Sequence, residues 1–419
     1  MGHYTIKCRA CEQDLKDAGC TLQGHCPDAL MLTEYRDSQF SEQGTKDVWR
    51  FNWLPVHHPS AAQPGPYVYR SQHLARTLGL EELFIAFNGY WPEKGALLET
   101  CTFKEFEAAV VLQNARENNV EGLIVASAGN TARAFAHLAA TTGYPVVIIV
   151  PRMCLMEMWY LEPSSVVPTL AVADGDYADS IDVARRVAKT FGFPFEGGVQ
   201  NIAKRDGLGI AMLESVSKIG KLPDHYVQAV GSGTGAIGVW EMAERFLKDG
   251  RYGTRLPIMH LGQNLPFAPM LHAWNRCSRI LSPEDLKLEL VSRITTRVLS
   301  TRYPAYSIKG GIFDALTATN GRMYGVENDA VYAGMKLFHQ SEGIDIVPAS
   351  GVAVATLQQA VETGAIRKND TVLLNITGGG EERLKQDRRT YAVVPKYIPK
   401  AITDKEIEDL LCTALKKNC

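Results

Sequence analysis

The chain is 419 residues long, 46% hydrophobic and 21% charged, values ordinary for a globular protein with a sizeable core. Its 44 basic and 46 acidic side chains leave a formal charge of −2, so no basic excess points to nucleic acid or an anionic membrane. Apolar runs such as 144–150 are far too short to span a bilayer, and MGHYTIKCRACEQD has no apolar leader, so a cytoplasmic protein is expected.

In chain order, the first feature is a crowd of cysteines: Cys8, Cys11, Cys20 and Cys26. Nine cysteines, an odd number in a chain too large to need staples, argue for reduced thiols. Cys8 and Cys11 have the spacing that lets two thiolates of one turn face a tetrahedral metal. The second pair is wider, with His25 beside Cys26, so a metal-bound ribbon and a degenerate one held by packing both remain open. No metal ligand is assigned. Residues 1–35 read as a small cysteine-rich appendage.

Residues 36–75, rich in Pro, His and aromatics, read as an irregular lead-in. From about residue 100 the pattern alternates helix and strand, as parallel βαβ units require. Helices are expected at 103–118, 130–142 and 177–191, and strands at 122–126, 145–150 and 166–172. These make one inserted lobe, 105–194. A helix over 208–219 follows the loop GGVQNIAKRDG. Strands at 226–230, 256–261 and 371–376 then build a second, larger parallel lobe from 36–104 and 195–419. An acidic-to-basic helix at 404–416 closes the chain without a functional reading.

Ligands of open parallel sheets sit outside the carboxyl ends of the strands. Three unusual loops stand there: SAGN, GSGTG and TGGG. The backbone of Gly231, Ser232, Gly233, Thr234 and Gly235, with a helix start behind it, suits a phosphate. The strand LPIMHL runs on into Gly262, Gln263 and Asn264 with no ribose-binding acid, which argues against a dinucleotide. No Lys-Ser/Thr pair follows the glycines, which excludes a P-loop. A small phosphate-bearing cofactor fits better. Lys104, at a helix start in an apolar setting, is placed for amine chemistry. Ser127, Asn130 and Thr131 suit a carboxylate or a phenolic oxygen, although ordinary helix capping would explain them equally well. Thr377 presents a hydroxyl at a strand end.

Taken in order, Lys104 after Thr-Phe, then SAGN, GSGTG and TGGG, the set resembles pyridoxal-phosphate enzymes of the threonine-synthase family. The resemblance covers about residues 65–395, and the N-terminal CxxC is similar to the cysteine-containing ribbon on many of those proteins. It implies the fold type II (tryptophan synthase β-like) α/β architecture of two open parallel-sheet lobes, with pyridoxal 5′-phosphate as cofactor. It further implies that Lys104 binds the cofactor aldehyde and serves as general base, Asn130 meets the ring 3′-oxygen, Gly231–Gly235 hold the phosphate and Thr377 meets the pyridine nitrogen. Ser127 and Thr131 would take the substrate carboxylate. Glu105-Phe106 after the lysine, where the family usually has Asp-Arg, and Arg133 in SAGNTARAF point to a side branch. That branch replaces the phosphate of O-phospho-L-serine with sulfite, giving L-cysteate for coenzyme M. The alternative is a threonine synthase acting on O-phosphohomoserine, or a related lyase. Arg133, Arg152, Lys204 and Arg205 are candidates for the anionic groups. Small anionic substrates, a homo-oligomer, and neither nucleic acid nor membrane as partner complete the expectation.

Overall fold

A computed structural model describes every residue except 1–2, 22, 128, 164–165, 175–176, 302 and 416–419. Two parallel sheets organise it. The larger has six strands in the order Arg322–Val326, Ile258–Asn264, His225–Ala229, Thr371–Ile376, Glu82–Phe87 and Tyr67–Arg70, all parallel except the last, which runs antiparallel at the edge. The smaller has four parallel strands: Lys396–Ile398, Thr169–Val172, Val146–Pro151 and Leu123–Ala126. Strands such as LIVA and VVIIVP are buried at every position, as expected where helices cover both faces.

Expected and observed elements agree within a few residues in the middle of the chain. The helices Lys104–Glu117, Asn130–Thr142 and Tyr177–Phe191 occupy the stretches read from periodicity. One helix starts earlier than expected. Ile202–Ile219 opens inside GGVQNIAKRDG because Asn201 caps it, its side chain accepting from the N–H groups of Ala203 and Lys204. The lead-in is less irregular than its composition suggests: it supplies the edge strand Tyr67–Arg70, and Trp53 lies buried against Phe40 and Phe246.

The expected grouping of 396–419 with the larger lobe needs correction. Residues Lys396–Ile398 pair with Thr169–Val172 at the free edge of the smaller sheet. The terminal helix, Asp404–Leu415, then buries Ile407, Leu410 and Leu411 with Val183 and Val187. That i, i+3, i+4 stripe is an amphipathic face needing an apolar partner, which the Tyr177–Phe191 helix provides. Among the described residues Cys8, Cys11, Cys20, Cys26, Cys101, Cys154 and Cys277 are reduced thiols. Among the described residues no helix is long and apolar enough to cross a membrane.

Candidate active site

The three loops converge because their strands do. His225–Ala229 and Thr371–Ile376 are neighbours in one sheet, so GSGTG and TGGG emerge side by side. The turn before Lys104 is zipped to the second of these. Phe103 donates its N–H to the Thr377 carbonyl at 3.0 Å, and Gly379 donates to Cys101 at 3.1 Å. A side chain at position 378 would place its Cβ 2.8 Å from the Cys101 carbonyl oxygen, and at 379 its Cβ 2.6 Å from that of Asp345. TGGG is therefore glycine-rich to let backbones meet. Glu105 clamps the same turn from within: buried, it accepts from the Thr100 N–H at 2.9 Å and the Thr100 hydroxyl at 2.8 Å. Burial raises its carboxyl despite those bonds.

Between the lobes lies a cavity of about 420 Å³. Lys104, Ser127, Asn130, Thr131, the whole of Gly231–Gly235 and Thr377 all line it. Every expected site residue thus faces one space; Ala128 of SAGN lies outside the described residues. A second cleft of about 430 Å³, beside Glu105 and His137, contains none of these loops.

Lys104 is no surface lysine, with its side chain 18% exposed. Its Nζ lies 2.9 Å from Oε2 of Glu107, which is fully buried. The other Glu107 oxygen lies 3.2 Å from Lys204 Nζ and accepts from the Thr131 hydroxyl at 2.7 Å. Lys204 also pairs with buried Glu196 at 3.1 Å. Burial lowers the Lys104 amine, with Glu107 opposing. Burial acts to raise Glu107, yet Lys104 and Lys204 outweigh it and hold the carboxyl below its usual range. Sequence reading named Lys204 but passed over Glu107 and Glu196. The signal for Glu107 was its place three residues after Lys104, one helical turn away.

Capping does not explain SAGN. The Asn130–Thr142 helix is capped by Gly129, with no side-chain cap bond. Asn130 instead accepts from Arg133 Nη2 at 3.0 Å, which turns the two amide hydrogens away from Arg133. Arg133 is itself buried, stacked 4.1 Å from the centre of the Trp159 ring and 3.1 Å from Glu381, just past TGGG. Thr131 spends its hydroxyl hydrogen on Glu107, so toward a substrate it offers a backbone N–H. The other cations fare differently. Arg205 is fully buried on Glu241 and the carbonyls of Val199 and Met31, and Arg152 sits over Tyr397 outside the cavity. Arg185 and Arg297, both on the cavity lining, were not anticipated.

The glycine loop forms a tight cradle. A Cβ at Gly231 would lie 2.8 Å from Leu299 Cα, at Gly235 2.8 Å from Phe103, and at Gly233, where φ is +85°, 2.5 Å from Ile312. The Thr234–Asp249 helix starts here with Gly233 as cap and no side-chain cap bond; Thr234 donates its N–H to the Ser232 hydroxyl at 3.4 Å, and the N–H groups of Gly235 and Ala236 are left to face an anion. The Ser232 and Thr234 hydroxyls stand 3.0 Å apart at its mouth. A buried amine, an amide, an anion cradle and a strand-end hydroxyl around one cavity are a donor set that fits a phosphate-bearing aldehyde cofactor.

Known proteins agree. The model of the family described as pyridoxal-phosphate dependent enzyme matches residues 80–378. The chain is 44% identical over 402 residues to the cysteate synthase of Methanocella paludicola, covering 94% of both chains. It is equally 44% identical over 403 residues to that of Methanosarcina barkeri, covering 94% of this chain and 96% of that one. In fold it is similar to maize serine racemase, with a TM-score of 0.58 at 16% identity, over 77% of this chain and 91% of that one. The diaminopropionate ammonia lyase of Escherichia coli also gives 0.58, at 15% identity, over 79% and 89%.

Proposed function

The chain belongs to the pyridoxal-phosphate dependent enzymes and, within them, to the cysteate synthase family, and from that premise we propose that it converts O-phospho-L-serine and sulfite to L-cysteate and phosphate. The observation that carries the assignment of parts is the buried Lys104 amine sharing one cavity with the 231–235 cradle, Asn130 and Thr377. The threonine-synthase alternative gains no support from these relatives.

Lys104 is the covalent attachment point of pyridoxal phosphate. The Gly231, Ser232, Gly233, Thr234 and Gly235 loop takes its phosphate, Asn130 donates to the ring oxygen, and Thr377 meets the ring nitrogen. When bound, the cofactor supplies the electron sink for breaking the Cα–H and Cβ–O bonds. The chain's own residues handle the rest. Phosphate leaves with the Cβ–O bonding pair, and the sulfur lone pair of sulfite makes the new C–S bond. Lys104 Nζ takes the Cα proton and returns one, with its burial keeping a share of the amine neutral. Glu107, 2.9 Å away, holds that amine in place and stabilises it when it is protonated. Ser127 and the Thr131 N–H receive the α-carboxylate.

Both substrates are anions, and Arg185 and Arg297 on the lining add cations beyond those of the cofactor cradle. A neutral hydroxyl at Thr377 leaves the ring nitrogen largely unprotonated, which favours replacement over reactions that need a long-lived carbanion. A cytoplasmic homo-oligomer belongs to the same reading, and light scattering measures that state. The test of function is phosphate release from O-phosphoserine with and without sulfite, with the amino-acid product identified by mass. Sulfite-dependent release with cysteate as product is expected; threonine from phosphohomoserine, with no cysteate, would refute it.

A further inference from the structure

The cysteine-rich appendage lies apart from the cavity and plays no part in the chemistry above. It folds as a three-stranded antiparallel sheet with Tyr4–Cys8 central between Asp14–Leu15 and Met31–Tyr35. In it the sulfur atoms of Cys8, Cys11 and Cys26 all lie within 4.8 Å of one another. Cys20, the remaining cysteine of this region, joins the hydrophobic core instead. Two thiols of one turn met by a third from a later stretch of chain are more than packing needs.

We propose that Cys8, Cys11 and Cys26 bind a zinc-class divalent ion, and that this ion fixes the appendage as a brace behind the glycine loop. A tetrahedral ion with Zn–S near 2.3 Å sets its thiolates about 3.8 Å apart, within reach of this cluster. Three soft thiolates select zinc over hard cations. Among the described residues no fourth His, Cys, Asp or Glu joins them, and Cys11 is exposed, so water completes the shell. Binding releases the thiol protons to solvent.

The brace runs through Arg9, inside the Cys8–Cys11 turn. Its guanidinium lies 4.4 Å from the Trp240 ring centre and 2.8 Å from Glu244, both on the helix that begins at the glycine loop. The neighbouring Leu30 donates to the Lys309 carbonyl at 2.9 Å, three residues before Ile312, which packs against Gly233.

The test is metal content of the holoenzyme purified under reducing conditions with zinc in the medium. One zinc per chain, surviving gel filtration and released by a mercurial thiol reagent, is expected, as is a thiolate-to-metal absorption band on cobalt(II) exchange. Cys11→Ser should lower zinc affinity at least about 10-fold, while Cys20→Ser keeps the wild-type stoichiometry. Wild-type protein that takes up neither zinc nor cobalt, or that carries a disulfide among these three cysteines under those conditions, overturns the site. So does Cys11→Ser with undiminished zinc. If that variant does not fold, the wild-type zinc content and cobalt band decide alone. For the brace, zinc removal should weaken pyridoxal-phosphate binding roughly 2- to 30-fold; unchanged affinity overturns that part. None of these readouts depends on which substrate the enzyme uses.

Discussion

Replacing Glu107 with Gln removes one charge from the buried cluster under Lys104 while keeping its volume. In the cofactor-free protein the carboxylate faces two ammonium groups, at 2.9 and 3.2 Å, and accepts from Thr131 at 2.7 Å. Removing one partner of a buried ion pair costs about 3–5 kcal/mol, because the remaining charge is left without compensation. Here Lys204 keeps Glu196 and Gln can still accept from Thr131, so about 3 kcal/mol is expected. The second effect has a definite sign. A carboxylate favours the ammonium form of Lys104, so its loss lowers that amine further. Urea denaturation measures the first quantity. The pH dependence of Lys104 acylation by an amine reagent, followed by peptide mass, measures the second. A stability loss under about 0.5 kcal/mol with an unmoved acylation midpoint would refute the role of the cluster.

Four further outcomes follow from the same geometry. Lys104→Ala should abolish both the visible cofactor band and phosphate release while leaving the protein folded; a retained band would move the attachment elsewhere. Gly233→Ala forces a side chain to φ +85° with its Cβ 2.5 Å from Ile312. Left-handed strain alone costs about 1–2 kcal/mol, so cofactor affinity measured by absorbance titration should fall about 10-fold, and an unchanged affinity would remove the loop from the site. Arg133→Lys loses the Trp159 stacking and loosens the hold on Asn130, so the cofactor absorbance maximum and the rate should change together; a wild-type spectrum and rate would show that Asn130 needs no support. Finally, His260, buried between His225 and Tyr324, is pushed from 6.5 down to about 3, chiefly by burial. Below pH 6.5 the unfolded state takes up a proton that folded His260 refuses, so stability falls as pH falls, by about 2 kcal/mol between pH 6.5 and 5. Melting curves of wild type and His260→Gln test this, the variant having the shallower slope; identical slopes would refute it.

The parts that depend on local pattern can be read without the structure. Runs such as LIVA and VVIIVP must be buried parallel strands, and a glycine-rich turn between strand and helix must expose backbone N–H groups. Lys104, Asn130, the 231–235 loop and Thr377 each stand at the end or start of a strongly periodic element, and the resemblance of the ordered set to the threonine-synthase family is what marks them as one site. Tertiary structure decided what depends on long-range approach. Glu107 stands out only once the Asn130 and Ile202 helices bring Thr131 and Lys204 to it. TGGG looked like a ligand loop, and only the packing against Cys101 and Asp345 shows that its glycines serve backbone contact. The C-terminal stretch carried an amphipathic stripe that named no partner; the free edge of the smaller sheet supplied one. Spacing can specify which face of an element is apolar or charged, because helix and strand geometry are local. It cannot specify which of several faces that one meets, because that choice is made by the chain folding back across hundreds of residues.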